Sequence, residues 1–118
     1  MKEYLLLFRG GDAHRMEEQQ SAEAAQAHMQ KWAEWMKSLT EQGKFSGAQP
    51  LSKEGRVVAA DGNTVTDGPY MEGKEIIGGY LICKADNFDE AVAIAKECPI
   101  YEHQGIVEVR EINALGME

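Results

Sequence analysis

The stretch "IIGGYLICKADNFDEAVAIAKECP", residues 76 to 99, decides how the chain is read. Ile76 to Ala85 is a mostly apolar run of strand length, and it predicts a well-buried strand. Asn87 then offers a side-chain oxygen to the start of a helix, with Glu90 three residues on as the reciprocal half of a capping box. Phe88, Ala91, Ile94, Ala95 and Cys98 recur at helical spacing and predict the buried face of that helix, which Pro99 stops. Gly78 and Gly79 lie inside the strand, not at a strand-to-helix turn. They therefore do not make a phosphate loop, which has to feed a helix N-terminus. Glycines inside a strand mark a bulge, or a place where another backbone or a ligand comes close.

Outward from this unit, the rest of the chain supplies its counterpart. Tyr4-Leu5-Leu6-Leu7-Phe8 predicts a central strand covered on both faces, ended by Gly10-Gly11-Asp12. After a polar loop, Ser21 is an N-cap candidate with Glu23 in the first turn, where negative charge suits the helix dipole. Ala25, Met29, Trp32, Met36 and Leu39 follow at spacings of four, three, four and three, one face of a long helix that Gly43 closes. Phe45 to Leu51 predicts a weak strand. Arg56 to Ala60 and Thr64 to Thr66 predict two short ones joined by a hairpin at Asp61-Gly62-Asn63, and Ile106 to Ile112 predicts the last. The order is strand, long helix, several strands, helix, strand. It predicts one α+β domain over residues 1–118: a ferredoxin-like split βαβ protomer whose two helices cover one face of an antiparallel sheet. The opposite face then needs a cover of its own. A symmetric homodimer, sheet against sheet, supplies one and predicts a dimeric α/β barrel.

Composition narrows the function. Twenty acidic residues against twelve basic ones leave a net charge of −8 in 118 residues. That field repels phosphate backbones and anionic lipid, and argues against nucleic-acid or membrane partners. The apolar runs are too short to span a bilayer, and Met1-Lys2-Glu3 leads directly into the first strand, so the expectation is cytoplasmic. Cys83 and Cys98 lack CxxC spacing and are expected to be reduced and buried.

Chemistry-bearing residues are few. His14, His28 and His103 fall on three different elements, and no HxH, HExxH or CxxC occurs. Convergence of Asp12, His14, His28 and His103 on a metal has no support from spacing, so neither a metal nor another cofactor is expected. No serine sits on a GxSxG elbow and neither cysteine has a histidine nearby, which argues against an acyl-enzyme. What remains is acid–base work. His28 lies four residues before Trp32 and seven before Trp35, at the edge of the apolar stripe. There an imidazole can face a cleft, and a carboxylate can fix its tautomer. Asp12, after the first strand, and Asp67 are the candidate partners. Periodicity alone favours the plainer reading, a boundary histidine satisfied by water or backbone. Asp67-Gly68-Pro69-Tyr70 is likewise explained as a turn, since Asp caps it and Pro fixes φ. Trp32 and Trp35 read as core or interface residues, not as a substrate platform.

"VTDGPYMEGKEIIGGYLI" (65–82), the helix opening "NFDEAVAIAKECP" and the ending "GIVEVREI" together resemble the DGPF subgroup of the YCII-related family. "YLLLFRGG" and "AHMQKWAEWMKSLTEQGKFSGAQPL" extend the resemblance over nearly the whole chain, with Tyr70 where the namesake motif has Phe. The resemblance implies a dimeric α/β-barrel fold and a histidine–aspartate active site, with the helix histidine falling on His28 and the aspartate on Asp12. One relative of this kind is a dehydrochlorinase of aromatic catabolism, which implies a small cyclic or aromatic ligand and lyase- or isomerase-like chemistry. Other members are encoded beside or fused to extracytoplasmic-function sigma factors, which implies the alternative of a non-catalytic ligand-sensing or protein-interaction module.

Overall fold

The computed structural model describes residues 1–10, 22–52, 54–67 and 76–113. Its elements are β1 (Lys2–Arg9), α1 (Ala22–Glu41), β2 (Phe45–Pro50), β3 (Arg56–Ala59), β4 (Thr64–Asp67), β5 (Ile77–Ala85), α2 (Phe88–Lys96), a 3-10 helix (Pro99–His103) and β6 (Ile106–Glu111). Four strands form one sheet in the order β2-β5-β1-β6, every neighbouring pair antiparallel. The connection through α1 therefore passes over β5, and the connection through α2 passes over β1. That is the split βαβ, ferredoxin-like arrangement. β3 and β4 form a separate hairpin between β2 and β5.

Alternation along the central strands sets the two faces of the sheet. Tyr4, Leu6 and Phe8 of β1 and Leu81, Cys83 and Ala85 of β5 are buried in one cluster with Trp35 and Leu39 of α1 and Ala91, Ile94 and Ala95 of α2. Both helices thus cover the same face. Leu6 and Leu81 are fully buried, and removing such a side chain from water contributes about 2–3 kcal/mol. Leu5, Leu7, Tyr80 and Ile82 point the other way and are half-buried. On that open face Glu108 bridges Arg9 at 2.9 Å and Arg110 at 3.2 Å.

Local chemistry fixes the helix ends. Gly43 takes a left-handed φ of 72°, its N–H donates to Thr40 O, and Lys44 N–H donates to Leu39 O, which closes α1. Asn87 Oδ1 accepts the Glu90 N–H at 2.8 Å and opens α2. The Glu90 carboxylate does not complete the capping box: it pairs with Lys44 Nζ at 3.0 Å and so ties α2 to the start of β2. α2 ends at Lys96, capped by Glu97, and Pro99 is not its stop but the first residue of the 3-10 helix. Phe88, expected on the buried face, is exposed because it begins the helix at the rim, where its ring meets Tyr4 edge-on at 5.4 Å. Met29, expected in the α1 stripe, is 64% exposed because a cavity lies against it instead of packed core. The predicted Ser21 cap and the Gly68-Pro69-Tyr70 turn lie outside the described residues.

The glycine pair shows both features expected of it. β1 pairs Phe8 with Gly79 and Arg9 with Ile77, so Gly78 is a bulge with no partner on that side. On its other side Gly78 O accepts the Leu51 N–H at 2.9 Å. A Cβ at Gly79 would stand 2.9 Å from Gln49 O and 3.3 Å from Pro50 Cα, both backbone atoms of β2. The edge strand therefore approaches β5 as closely as only glycine permits.

Candidate functional site

A cavity of about 310 Å³ opens between α1 and the β2–β5 side of the sheet. Phe8, Met29, Trp32 and Met36 wall it, and the Gly78–Gly79 backbone lines it where side chains would otherwise fill it. Trp32 packs edge-on against Phe8, with ring centres 5.1 Å apart, and against Trp35 at 5.8 Å. Among the described lining residues there is no Asp, Glu, Lys or Arg, and His28 is the one histidine.

α1 places His28, Lys31 and Trp32 on one surface through its three- and four-residue spacing. The His28 side chain is only 12% exposed. The Trp32 indole Nε1–H donates to His28 Nε2 at 2.9 Å. An indole N–H is a donor and nothing else, so Nε2 is an acceptor and the proton of the neutral ring sits on Nδ1. Nδ1–H donates in turn to Glu102 Oε2 at 2.9 Å. The other oxygen of Glu102 takes the Lys31 ammonium. Those bonds, from Lys31 first and His28 second, hold the Glu102 carboxyl below the usual carboxylate range. It is thus an anion at neutral pH and accepts both bonds.

The sequence-derived candidates are distributed unevenly. His28 lies in the cavity wall. Asp67 sits at the end of β4 with a side chain 79% exposed, 3.6 Å from Arg56, and is not among the lining residues. Asp12 and His14 lie outside the described residues. Among the described residues, the carboxylate that meets His28 is Glu102, which no local pattern singles out. The two residues are 74 positions apart, and they meet because the 3-10 helix brings Glu102 against α1. Among the described residues no cluster of His, Cys, Asp or Glu could hold a metal ion. Cys83 and Cys98 are free and buried, as expected. Burial raises both thiols, Cys98 to about 12, and neither lines the cavity.

Among the described residues no helix is long and apolar enough to cross a membrane. No curated protein matches the chain. Among solved structures, 5-chloro-2-hydroxyhydroquinone dehydrochlorinase from Burkholderia phenoliruptrix AC1100, in complex with 2,5-dihydroxybenzoquinone, is similar, with 17% identity, 90% of each chain covered and a TM-score of 0.42. So distant a likeness carries nothing about chemistry. The YCII-related domain matches residues 12–115, nearly the whole length, and the chain belongs to that family.

Proposed function

We propose that this protein binds a small cyclic or aromatic metabolite in the cavity beside α1, with His28 as acid–base group in a lyase- or isomerase-like proton transfer. The observation that carries the reading is a largely buried imidazole in the wall of an apolar, aromatic-lined cavity, with its tautomer set by hydrogen bonds. About 310 Å³ suits a ligand of one ring. The lack of a lining cation among the described residues disfavours phosphate esters and other polyanions. Asp12 lies two residues past Gly10, which lines the cavity, and we retain it as a second acid–base candidate. Asp67, paired with Arg56 on the hairpin, is left out of the proposed site.

The test is a panel of monocyclic hydroxylated and chlorinated aromatics. Binding is read by quenching of Trp32 and Trp35, the two tryptophans of the chain, and turnover by chromatography. Quenching by some members, with turnover that His28→Ala abolishes, is the expected result. Full turnover in His28→Ala, or no quenching across the panel, rejects it.

One observation favours a non-catalytic ligand sensor: Nε2 already accepts the Trp32 N–H while Nδ1 serves Glu102. That reading predicts binding without turnover. We further propose a homodimer through the open sheet face, where Leu5, Leu7, Tyr80 and Ile82 lie beside both signs of charge from Arg9, Glu108 and Arg110. Leu7→Glu should yield a monomer by light scattering, and a wild-type monomer would refute the assembly. The absence of a long apolar helix among the described residues and the two unpaired thiols support a cytoplasmic placement.

A further inference from the structure

We propose that Glu102 is the residue that positions His28 for the cavity, committing Nδ1–H to itself and keeping Nε2 as the basic nitrogen on the Trp32 side. The proposal rests on the reading of His28 as the acid–base group, but it can be measured without a ligand. Two partners demand the same tautomer. Trp32 can only donate, and ionised Glu102 can only accept. They are not equivalent. The Glu102 bond is charge-assisted, and such bonds are roughly twice as strong as a neutral indole–imidazole contact. Lys31 helps to keep the carboxyl ionised and occupies its second oxygen, which leaves Oε2 for the histidine.

The turn that carries Glu102 is anchored independently of α1. Ile100 is buried in the core cluster, the Tyr101 hydroxyl donates to Ala95 O at 2.9 Å, and the Gly105 N–H donates to Ile100 O at 3.1 Å. These contacts fix the turn from both sides. Trp32 shares a helix with His28 and lines the cavity, so it is the exchangeable partner. A ligand that presents an O–H or N–H can replace the indole at Nε2 while the Glu102 bond stays intact. In the resting state the protein caps its own basic nitrogen.

The experiment is two-bond ¹⁵N–¹H correlation spectroscopy of histidine-labelled protein, with the Trp32 indole N–H as second reporter. Wild type should show His28 as the single Nδ1–H tautomer. Glu102→Ala should give a tautomer mixture and shift the indole resonance. Glu102→Gln retains a side-chain oxygen and should restore part of the Nδ1–H form. Trp32→Phe should leave the tautomer unchanged. A pure Nδ1–H form in Glu102→Ala overturns the proposal, and so does a mixture that appears in Trp32→Phe instead. Phenol serves as the cavity probe, expected to move the indole resonance at constant tautomer. If phenol moves nothing while the tautomer still follows Glu102, the positioning role stands and the metabolite-binding reading falls.

Discussion

Gly79→Ala tests the account of why β2 can lie so close to β5. A Cβ at this position would stand 2.9 Å from Gln49 O, 3.3 Å from Pro50 Cα and 3.6 Å from Phe8 Cδ2. The first two belong to backbone, which cannot swing aside as a flexible side chain would. Relief requires β2 to retreat, and retreat stretches the neighbouring Leu51 N–H to Gly78 O bond, now 2.9 Å. Overpacking of this kind costs about 1–3 kcal/mol. The lower entropy of an unfolded alanine offsets about 0.4–1 kcal/mol. The net expectation is destabilisation by about 1–2 kcal/mol, a fall in Tm of about 3–10 °C for a chain of this size. Gly78→Ala is the control. The nearest atom to its added Cβ is Phe8 O at 4.0 Å, so its stability should stay within about 0.5 kcal/mol of wild type. Thermal and urea melts of the three proteins, compared at equal m-value, give the answer. Equal losses for both variants, or wild-type stability in Gly79→Ala, would refute the close-approach argument.

Asn87→Ala removes the side-chain acceptor of the Glu90 N–H and should cost about 1 kcal/mol, seen as a lower urea midpoint at unchanged m. Cys83 and Cys98 are buried with raised thiols, so an aromatic disulfide reagent at pH 8 should label neither in the native state and both in denaturant. The same thiols bear on alkaline stability: their contribution is intact below about pH 9 and is lost as pH rises above it, for Cys98 toward about 12, because the unfolded chain ionises first. At the acid end the sign reverses. Glu102 is held low by Lys31 and His28, and Glu108 chiefly by Arg110 and then Arg9. Their stabilisation is present above the ordinary carboxylate range and fades as pH falls below it. High salt should blunt this acid response, since Glu102 is exposed and Glu108 half-buried, both within reach of solvent ions.

The elements were legible because their signals are local. Period-two burial along β1 and β5, the Asn87 cap and Gly43 at the end of α1 follow from residues a few positions apart. Asp61-Gly62 also marked its hairpin correctly, with left-handed φ at Ala60, Asp61 and Gly62. Where local reading failed, tertiary context decided. Met29 has core periodicity but lies against a cavity, which no spacing reveals. Pro99 has the identity of a helix stop, yet it begins a second helical turn. That turn carries Glu102, so missing it also meant missing the carboxylate beside His28. His28 could be named as a candidate from its place at the edge of the helix stripe, though periodicity alone favoured a plain boundary residue. Glu102 could not be found that way, because its contact with His28 joins residues 74 positions apart.

The bulge at Gly78 also makes the volume of the cavity a question of strand register. With the extra residue, Ile77 lies opposite Arg9 and is 42% exposed. Without it, in an uninterrupted ladder continuing from the Phe8–Gly79 pair, Gly78 would oppose Arg9. Ile77 would then share a face with Gly79 and Leu81, toward the helices. A slip of one position at the start of β5 would thus swing an isoleucine into the space that a ligand needs. The rest of β5, from Gly79 to Ala85, could keep its pairing with β1 throughout.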